Sequence, residues 1–121
     1  MKLKVSTNQI GNYEVPTDGI LYLLVFKLED KTLVKIGVTQ RIRVEDRICE
    51  ILVSIWKRYR VFPECVAKRY RSVKEVYKKE KYMHDYFASY NYKTKYVFSG
   101  STEFFTASVD EIVKVYDEIT D

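Results

Sequence analysis

The sequence predicts a small single domain of the α/β or α+β class, with elements in the order ββ-α-β-α-ββ-α. Two observations lead to this prediction. The 121 residues are enough for one domain with a modest core. Short apolar runs suited to strands alternate with segments whose apolar residues recur at helical spacing. Because no repeat or internal linker interrupts this pattern, we expect an N-terminal arm over residues 1–18 and one domain over residues 19–121.

The first two strands are predicted to form a hairpin. Residues 1–18 are polar and mixed, with Gly and Pro as breakers, and precede the domain as a loose arm or short strand. The continuous apolar run at 20–26 has the length of a buried strand. A polar turn at 27–32 separates it from the second strand, at 33–38.

A helix and a third strand are predicted to follow the hairpin. Helical spacing extends over residues 43–57, and the apolar residues that carry it are Val44, Ile48, Ile51, Leu52 and Ile55. Residues 61–70 are typical of a strand. Pro63 lies near its beginning, where a missing N–H is tolerated.

Two capping boxes divide the remainder of the chain. The box Ser72-Val73-Lys74-Glu75 predicts a long helix that ends at about Tyr90. Short strands are then predicted at 96–98 and 103–105. A second box, Ser108-Val109-Asp110-Glu111, predicts the last helix. The residues of this helix that we expect to face inward are Ile112, Val115 and Ile119.

The basic residues are concentrated in the middle of the chain. The whole sequence has 21 Lys+Arg and 17 Asp+Glu, a net charge of +4. Residues 35–96 hold 16 basic and 7 acidic residues, a net of +9, and eight of the 11 tyrosines lie between 57 and 96. A basic zone interleaved with aromatic residues is typical of nucleic-acid binding, because the cations displace counterions from phosphates. A solvated face that keeps the protein soluble accounts for the same charge.

Composition excludes several classes of protein. A content of 46% hydrophobic and 31% charged residues argues against disorder. No apolar run reaches the ~18 residues of a membrane span, and the apolar start is too short for a signal peptide. Cys49 and Cys65 are too few for a tetrahedral metal site and fit a reducing compartment. We therefore expect a cytoplasmic protein, with the nucleus left open.

Glu80 interrupts the apolar stripe of the predicted long helix. It lies four residues after Val76 and three before Met83. A carboxylate on an inward face must be paired, protonated or metal-bound, although a half-covered face or a neighbouring Arg explains it as well. His84, one turn further along, is the kind of residue that is more often a hydrogen-bonded structural group than a ligand. Because Mg²⁺ often uses only one or two carboxylates, Glu80 would suffice if a substrate supplied phosphate oxygens.

The order of several short motifs resembles the GIY-YIG nuclease superfamily. The predicted hairpin contains Gly19-Ile20-Leu21-Tyr22 and Val34-Lys35-Ile36-Gly37, which are similar to the paired signature. The further matches, in chain order, are Thr39, Arg47, the segment Glu80–His84 and Glu103-Phe104-Phe105. In particular the sequence looks like the phage-associated branch whose second signature reads Lys-Ile-Gly. The resemblance covers about residues 19–119, and its specificity comes from the order and spacing of the motifs.

The resemblance implies a central three-stranded mixed sheet flanked by helices, and hydrolysis of a DNA phosphodiester assisted by Mg²⁺ or Mn²⁺. Tyr22 matches the tyrosine that activates water or acts as general base, and Lys35 stands in place of the second tyrosine. Arg47 matches the arginine on the phosphate, and Glu80 matches the sole protein ligand of the metal. A phenol has an ordinary pKa near ~10, so Lys35 on the next strand is the cation expected to lower the pKa of Tyr22.

Four further residues are given supporting roles by the resemblance: Gly37, Thr39, His84 and Glu103. Gly37 closes its strand where the backbone must approach closely. Glu103 matches an acid found late in this branch and has no assigned role. A plain structural explanation exists for three of them: a strand-end turn at Gly37, a core hydrogen bond at His84 and an exposed edge charge at Glu103.

The phosphate-binding arginine is open to more than one choice. The loop after Gly37 is about one residue longer than in the branch, so Arg41 and Arg43 compete with Arg47 for this role. We prefer Arg47 because a helix fixes its side chain. The other residues expected to contact DNA are Arg69, Arg71, Lys78 and Lys79.

Three functions therefore remain open. The first is a metal-dependent DNA endonuclease or nicking enzyme of phage, viral or mobile-element origin. The second is a non-catalytic DNA-binding module of the same fold. The third is a small interaction protein that inhibits a host partner, which would show no salt-dependent affinity for DNA. The presence of Tyr22, Arg47 and Glu80 together favours the first. Double-strand cleavage by one such site needs a homodimer or sequential nicks.

Overall fold

The computed structural model describes residues 19–40 and 43–120, which form four strands and three α-helices. These elements are β1 (Gly19–Leu28), β2 (Lys31–Thr39), α1 (Val44–Tyr59), β3 (Glu64–Val73), α2 (Val76–Tyr86), β4 (Phe104–Phe105) and α3 (Val109–Thr120). Two single turns of 3-10 helix, Ala88–Tyr90 and Ser101–Glu103, lie between α2 and β4. The predicted arm over residues 1–18 lies outside the described residues.

The four strands form one antiparallel sheet in the order β3-β1-β2-β4. The prediction of a three-stranded mixed sheet is therefore wrong. Helix α1 carries the chain from β2 across one face of the sheet to the far side of β1, and β3 then pairs antiparallel with β1. No strand in the described part of the chain has a parallel neighbour, and β4 adds a fourth strand of two residues beside β2.

The turn between β1 and β2 is tighter than the predicted 27–32. Only Glu29 and Asp30 lie between the strands, with φ angles of 55° and 60°. Positive φ at both positions gives a two-residue turn whose twist matches that of the flanking strands. The hairpin consequently extends to Leu28 and resumes at Lys31.

The capping box predicted at Ser72 is wrong, because Ser72 lies within β3. Helix α2 begins at Val76, and the preceding Glu75 has a left-handed backbone (φ 52°) and no side-chain capping bond. The helix ends at Tyr86 and not at about Tyr90. The last helix does begin after Ser108, as predicted.

The strand predicted at 96–98 is absent, so the element order is ββ-α-β-α-β-α. Val97 is 85% exposed, and Tyr96 accepts a hydrogen bond from the Thr94 hydroxyl in an irregular loop. Phe98 alone turns inward, where its ring packs against that of Phe104 at 6.2 Å. So short a run forms a strand only where it pairs with a neighbouring edge, and residues 96–98 do not pair with one.

The sheet separates two apolar cores. Leu21 and Leu23 of β1 face α2 and α3, whereas Tyr22 and Leu24 face α1. This alternation explains why β1 is apolar throughout, since both of its faces are buried. The inward residues predicted for the helices are confirmed: Val44, Ile48, Ile51, Ile55, Ile112 and Val115 are buried, and Leu52 and Ile119 are partly buried against the cores.

Strand β2 has an open edge beyond its short pairing with β4. Only Val34 and Lys35 pair with β4. At Ile36 the backbone carbonyl accepts a hydrogen bond from Nε2 of His84 at 2.8 Å, so α2 lies beside this edge. Side chains of α2 are thereby brought close to residues on the α1 face of the sheet.

Candidate active site

The Tyr22 side chain lies against the backbone of Gly37, its partner in the β1–β2 register. A Cβ atom at position 37 would lie 2.5 Å from both Cζ and Oη of Tyr22. Only glycine leaves room for the ring, because real Cβ atoms do not approach other atoms so closely. The backbone of β2 thus fixes the position of the Tyr22 phenol.

The Tyr22 hydroxyl is buried and makes no well-formed hydrogen bond to a described residue, although the Arg47 guanidinium approaches it. Burial is the main cause that raises the pKa of Tyr22 to about 12; the charge of Glu103 adds to the rise, and Arg47 opposes it. At neutral pH the side chain is therefore a neutral phenol. A buried hydroxyl without a partner costs about 1–3 kcal/mol, so its presence requires an explanation.

Lys35 is fully buried beside Tyr22. Its Nζ forms an ion pair with Oε1 of Glu103 and donates a hydrogen bond to the Gly100 carbonyl at 3.2 Å. Burial lowers the pKa of Lys35, and Glu103 opposes that change. The ammonium also lies 5.9 Å from the centroid of the Tyr22 ring. Glu103 and Gly100 hold the ammonium, and Arg47 is a cation that lowers the pKa of Tyr22.

Gly100 belongs to the site, although sequence reasoning passed over it. Its φ is +85°, and a Cβ there would lie 2.6 Å from Nζ of Lys35. The Ser-Gly-Ser triplet at 99–101 indicated a turn, but no local pattern connects a turn with a lysine 65 residues earlier. This contact exists because β4 pairs with β2 at Lys35.

Glu80 projects from α2 into the same cluster. Burial is the main cause that raises the pKa of Glu80 to about 7; Glu103 adds to it, and Lys35 opposes it. One carboxylate oxygen, Oε2, is buried with no hydrogen-bond partner among the described residues. Nε2 of His84 lies 3.8 Å from it, which is too far for a hydrogen bond.

His84 holds α2 in place instead of extending the acidic cluster. A carbonyl can only accept, so Nε2 donates to Ile36 and is not free to bind a metal through that nitrogen. The ring also packs against Phe105 at a centroid distance of 5.1 Å. The structure therefore favours a positioning role for His84, one turn after Glu80.

Arg47 approaches the cluster from α1, on the opposite side from α2. Its Nη1 lies 3.3 Å from Oε1 of Glu50, and 21% of the side chain is exposed. Its charge also acts on the pKa of Tyr22 and of Lys35. The Arg47 guanidinium is thus partly exposed to solvent and also close to the buried Tyr22 hydroxyl. This position would allow it to contact a charged substrate.

Two of the residues predicted to bind DNA lie on the other face of the sheet. Arg69 and Arg71 pair in register with Leu23 and Leu21 of β1, on the side of α3. Nη2 of Arg69 lies 2.5 Å from Oδ1 of Asp117, and Nη2 of Arg71 lies 3.9 Å from the same atom. These arginines link β3 to α3 and are not brought to the cluster around Tyr22.

The other predicted basic residues occupy different positions. Lys78 is 80% exposed on α2, with Nζ 3.8 Å from Glu75, and Lys79 is partly buried beside it. Arg43 is exposed at the start of α1. Arg41 lies outside the described residues. Thr39 is buried at the end of β2, two residues beyond Gly37.

The donor atoms of the cluster fit a hard divalent cation. Tyr22 Oη and Glu80 Oε2 are buried oxygen atoms that lack a partner within the described part of the chain. No group of three or more His, Cys, Asp or Glu residues there could hold a metal. A cation would therefore depend on very few carboxylates, together with water and substrate oxygens, which is how Mg²⁺ is often bound.

Fold and site together define a small α+β domain with a four-stranded antiparallel sheet and a buried charged cluster at the open edge of β2. The chain belongs to the T5orf172 domain family, whose model matches residues 19–120. Comparison with curated proteins and with solved structures gives no match. Within residues 19–40 and 43–120, no helix has the length and apolar character needed to cross a membrane.

Proposed function

We propose that this protein is a metal-dependent DNA endonuclease of the GIY-YIG type, which hydrolyses or nicks phosphodiester bonds. One observation carries the proposal: four different elements, β1, β2, α1 and α2, contribute Tyr22, Lys35, Arg47 and Glu80 to one buried cluster. A purely structural cluster gains nothing from an orphaned hydroxyl and an orphaned carboxylate oxygen, each of which destabilises the fold. Such costs are expected where chemistry requires them.

Arg47 and Glu80 are assigned to the charged parts of the substrate complex. The planar guanidinium of Arg47 can bind two phosphate oxygens and stabilise the charge that develops on them. Glu80 would hold the Mg²⁺ or Mn²⁺ ion. When bound, this cation would polarise the scissile phosphate and stabilise the leaving oxygen.

Tyr22 is assigned to the attacking water. Its hydroxyl, fixed by Gly37, is a hydrogen-bond partner that orients the water. With a pKa of about 12, the Tyr22 phenol keeps its own proton at neutral pH in the free protein. It therefore cannot act as a base there. It serves as a base only when added positive charge in the loaded site lowers that pKa.

DNA is the partner that best accounts for the charge distribution. The segment 35–96 carries a net charge of +9, whereas the remainder of the chain is net negative. On α2, Lys78 and Lys79 lie within two residues of Glu80, so positive side chains border the cluster. Arg47 also belongs to this segment and is partly exposed, so it can meet a phosphate of a bound polyanion.

The proposal is tested with supercoiled plasmid, purified protein and Mg²⁺ or Mn²⁺. We expect open-circular DNA with the wild type, and a rate at least 100-fold lower with Glu80→Gln. The matched control is Asp85→Asn on the same helix, since Asp85 is exposed and pairs only with Lys81 at 3.0 Å. Cleavage by Glu80→Gln at the wild-type rate would contradict the assignment of Glu80.

A second candidate is a DNA-binding module of the same fold without catalysis. The observation that favours it is the pairing of Lys35 with Glu103, which offsets the charge of the lysine expected to activate Tyr22. This candidate predicts salt-dependent binding of DNA with no cleavage at any metal concentration. The plasmid assay, combined with a binding titration at several salt concentrations, separates the two.

A further inference from the structure

Glu103 has no part in the function proposed above, yet it lies at the centre of the cluster. We propose that Glu103 is a second carboxylate ligand of the divalent cation, which it would hold jointly with Glu80 while Lys35 fixes its orientation. The inference rests on the proposed cation at Glu80. The resemblance to the nuclease superfamily supplied only one carboxylate for the metal and no role for Glu103.

The strand register places Glu103 beside Lys35. Glu103 ends the 3-10 turn directly before β4, and the next residue, Phe104, pairs with Lys35 across β2 and β4. The ion pair with Nζ uses Oε1 of Glu103. The Glu103 side chain remains 24% exposed, so this carboxylate is open to solvent and to ions that enter from it.

The Glu80 carboxylate faces the same space from α2. Its Oε2 is buried without a hydrogen-bond partner among the described residues. Glu103 disfavours its ionised form by its charge and by a side-chain hydrogen bond between the two carboxyl groups, which places the two groups side by side. Two carboxyl groups this close share a proton or, when both are ionised, repel each other, and Lys35 offsets only part of their charge. A divalent cation between them would remove the repulsion and supply the missing partner.

Tyr22 gives an independent sign that a ligand belongs here. Its side chain is fully buried, and its hydroxyl lacks a partner in the described structure. The charges of Glu103 and Glu80 both act on this hydroxyl, which places it in the same cluster. A water or phosphate oxygen carried by a cation would satisfy it, whereas two carboxylates alone leave it orphaned.

Lys35 then acts as a positioning residue for Glu103. Its ammonium is anchored at Gly100, where any side chain would collide with Nζ. Fixing one carboxylate oxygen leaves the other to bind the cation in a defined direction. Partners of this kind, one step removed from the metal, commonly change metal affinity by about 10- to 100-fold.

The test measures Mn²⁺ binding without DNA, by calorimetry and by loss of the free Mn²⁺ signal in electron paramagnetic resonance. Replacing Glu103 alone would leave Lys35 as a buried unpaired cation and endanger the fold. We therefore compare Lys35→Met with Lys35→Met/Glu103→Gln, in which the pair is neutral. The partial exposure of Glu103 lets water solvate its carboxylate in the single variant.

We expect Lys35→Met to bind Mn²⁺ about tenfold more weakly than the wild type, because Glu103 loses the group that orients it. The double variant should bind at least tenfold more weakly than Lys35→Met. The control adds Asp117→Asn to Lys35→Met, since Asp117 also pairs with a cation but lies across the sheet at Arg69. Equal affinity of the double variant and Lys35→Met would overturn the inference, and so would a wild type that binds no Mn²⁺.

The two proposals can fail separately. If Mn²⁺ binding depends on Glu103 but no DNA is cleaved, the endonuclease proposal fails and the cation site stands. If the wild type cleaves DNA and Glu80→Gln does not, while the Glu103 substitution leaves Mn²⁺ affinity unchanged, the endonuclease stands and the second ligand is wrong.

Discussion

The Tyr22 ring occupies the space that a side chain at Gly37 would fill. The two residues face each other across β1 and β2, and a methyl group at position 37 would lie 2.5 Å from the phenolic oxygen. The hydroxyl is held over the neighbouring strand without a hydrogen bond of its own to any described residue. The backbone of β2 thus determines where this oxygen lies.

Gly37→Ala should displace the Tyr22 ring. The added methyl group overpacks a core that has no free space, so we expect the free energy of unfolding to fall by about 1–3 kcal/mol. The cleavage rate should fall by more than this loss of folded protein explains. Chemical denaturation and plasmid nicking on the same preparation provide both measurements. A variant with wild-type stability and wild-type cleavage would contradict the contact.

Tyr22→Phe should separate stability from activity. The substitution removes a buried hydroxyl that has no partner in the described structure, so the free energy of unfolding should stay within about 1 kcal/mol of the wild type or increase. If Tyr22 orients or activates water, cleavage should fall by roughly 10²- to 10⁴-fold. The comparison is Tyr116→Phe, because the Tyr116 hydroxyl donates to the Leu21 carbonyl at 2.9 Å and its loss should cost stability but not chemistry.

Glu29 joins the hairpin turn to the loop before β4. It accepts hydrogen bonds from the hydroxyls of Tyr59 and Tyr92, the latter at 2.7 Å, and from the Lys95 N–H at 2.9 Å. Burial acts to raise the pKa of Glu29, but these bonds outweigh burial, and the pKa lies below its ordinary value. The carboxylate therefore stabilises the fold in its ionised form.

The stability contributed by Glu29 should be present above its unfolded pKa of about 4.3 and be lost as the pH falls through the lower pKa of the folded state. Glu29→Gln should lower the free energy of unfolding by roughly 1 kcal/mol at pH 7 and reduce its fall in acid. Urea denaturation between pH 7 and pH 3 measures both. The control is Asp30→Asn, because Asp30 is exposed in the same turn. This substitution should change the free energy of unfolding by less than about 0.5 kcal/mol. A similar acid profile in Glu29→Gln and wild type would argue against this role.

Lys78 and Lys79 should contribute more to DNA binding than Arg69 and Arg71. The lysines lie on α2 near Glu80, whereas Asp117 engages the arginines on the opposite side of the sheet. We expect the double substitution of the lysines by Ala to reduce the slope of log affinity against log salt by about 1–2. Substituting both arginines by Gln should lower the free energy of unfolding and leave the slope nearly unchanged. Fluorescence anisotropy at several salt concentrations measures the slope for each variant. A larger change from the arginine substitutions than from the lysine substitutions would indicate that DNA binds on the α3 face.

Local patterns were sufficient for much of the secondary structure. The amphipathic periods of α1 and α3 predicted their buried residues because helix geometry depends only on nearby residues. The strand at 96–98 and the capping box at Ser72 were wrong because each was inferred from a short pattern. Whether such a segment pairs as a strand, or starts a helix, depends on the edges and surfaces that the rest of the fold offers.

The candidate site divides in the same way. The unusual position of Glu80 could be recognised from the sequence, since a carboxylate interrupts an apolar helical stripe. The pairing of Lys35 with Glu103 and the contact with Gly100 could not, because these residues are more than 60 positions apart. Their meeting depends on the pairing of β4 with β2.

The sequence by itself determined that this is one small domain of mixed strands and helices, with a basic middle segment and a carboxylate in an apolar stripe. Tertiary structure alone decided that the sheet has four antiparallel strands, that Arg69 and Arg71 lie away from the cluster, and that Arg47 acts on Tyr22 while Lys35 is held by Glu103. The physical reason is that periodicity and propensity act over a few residues. The effect of a charged group on the pKa of another group depends instead on burial and on neighbours that only the folded chain brings together.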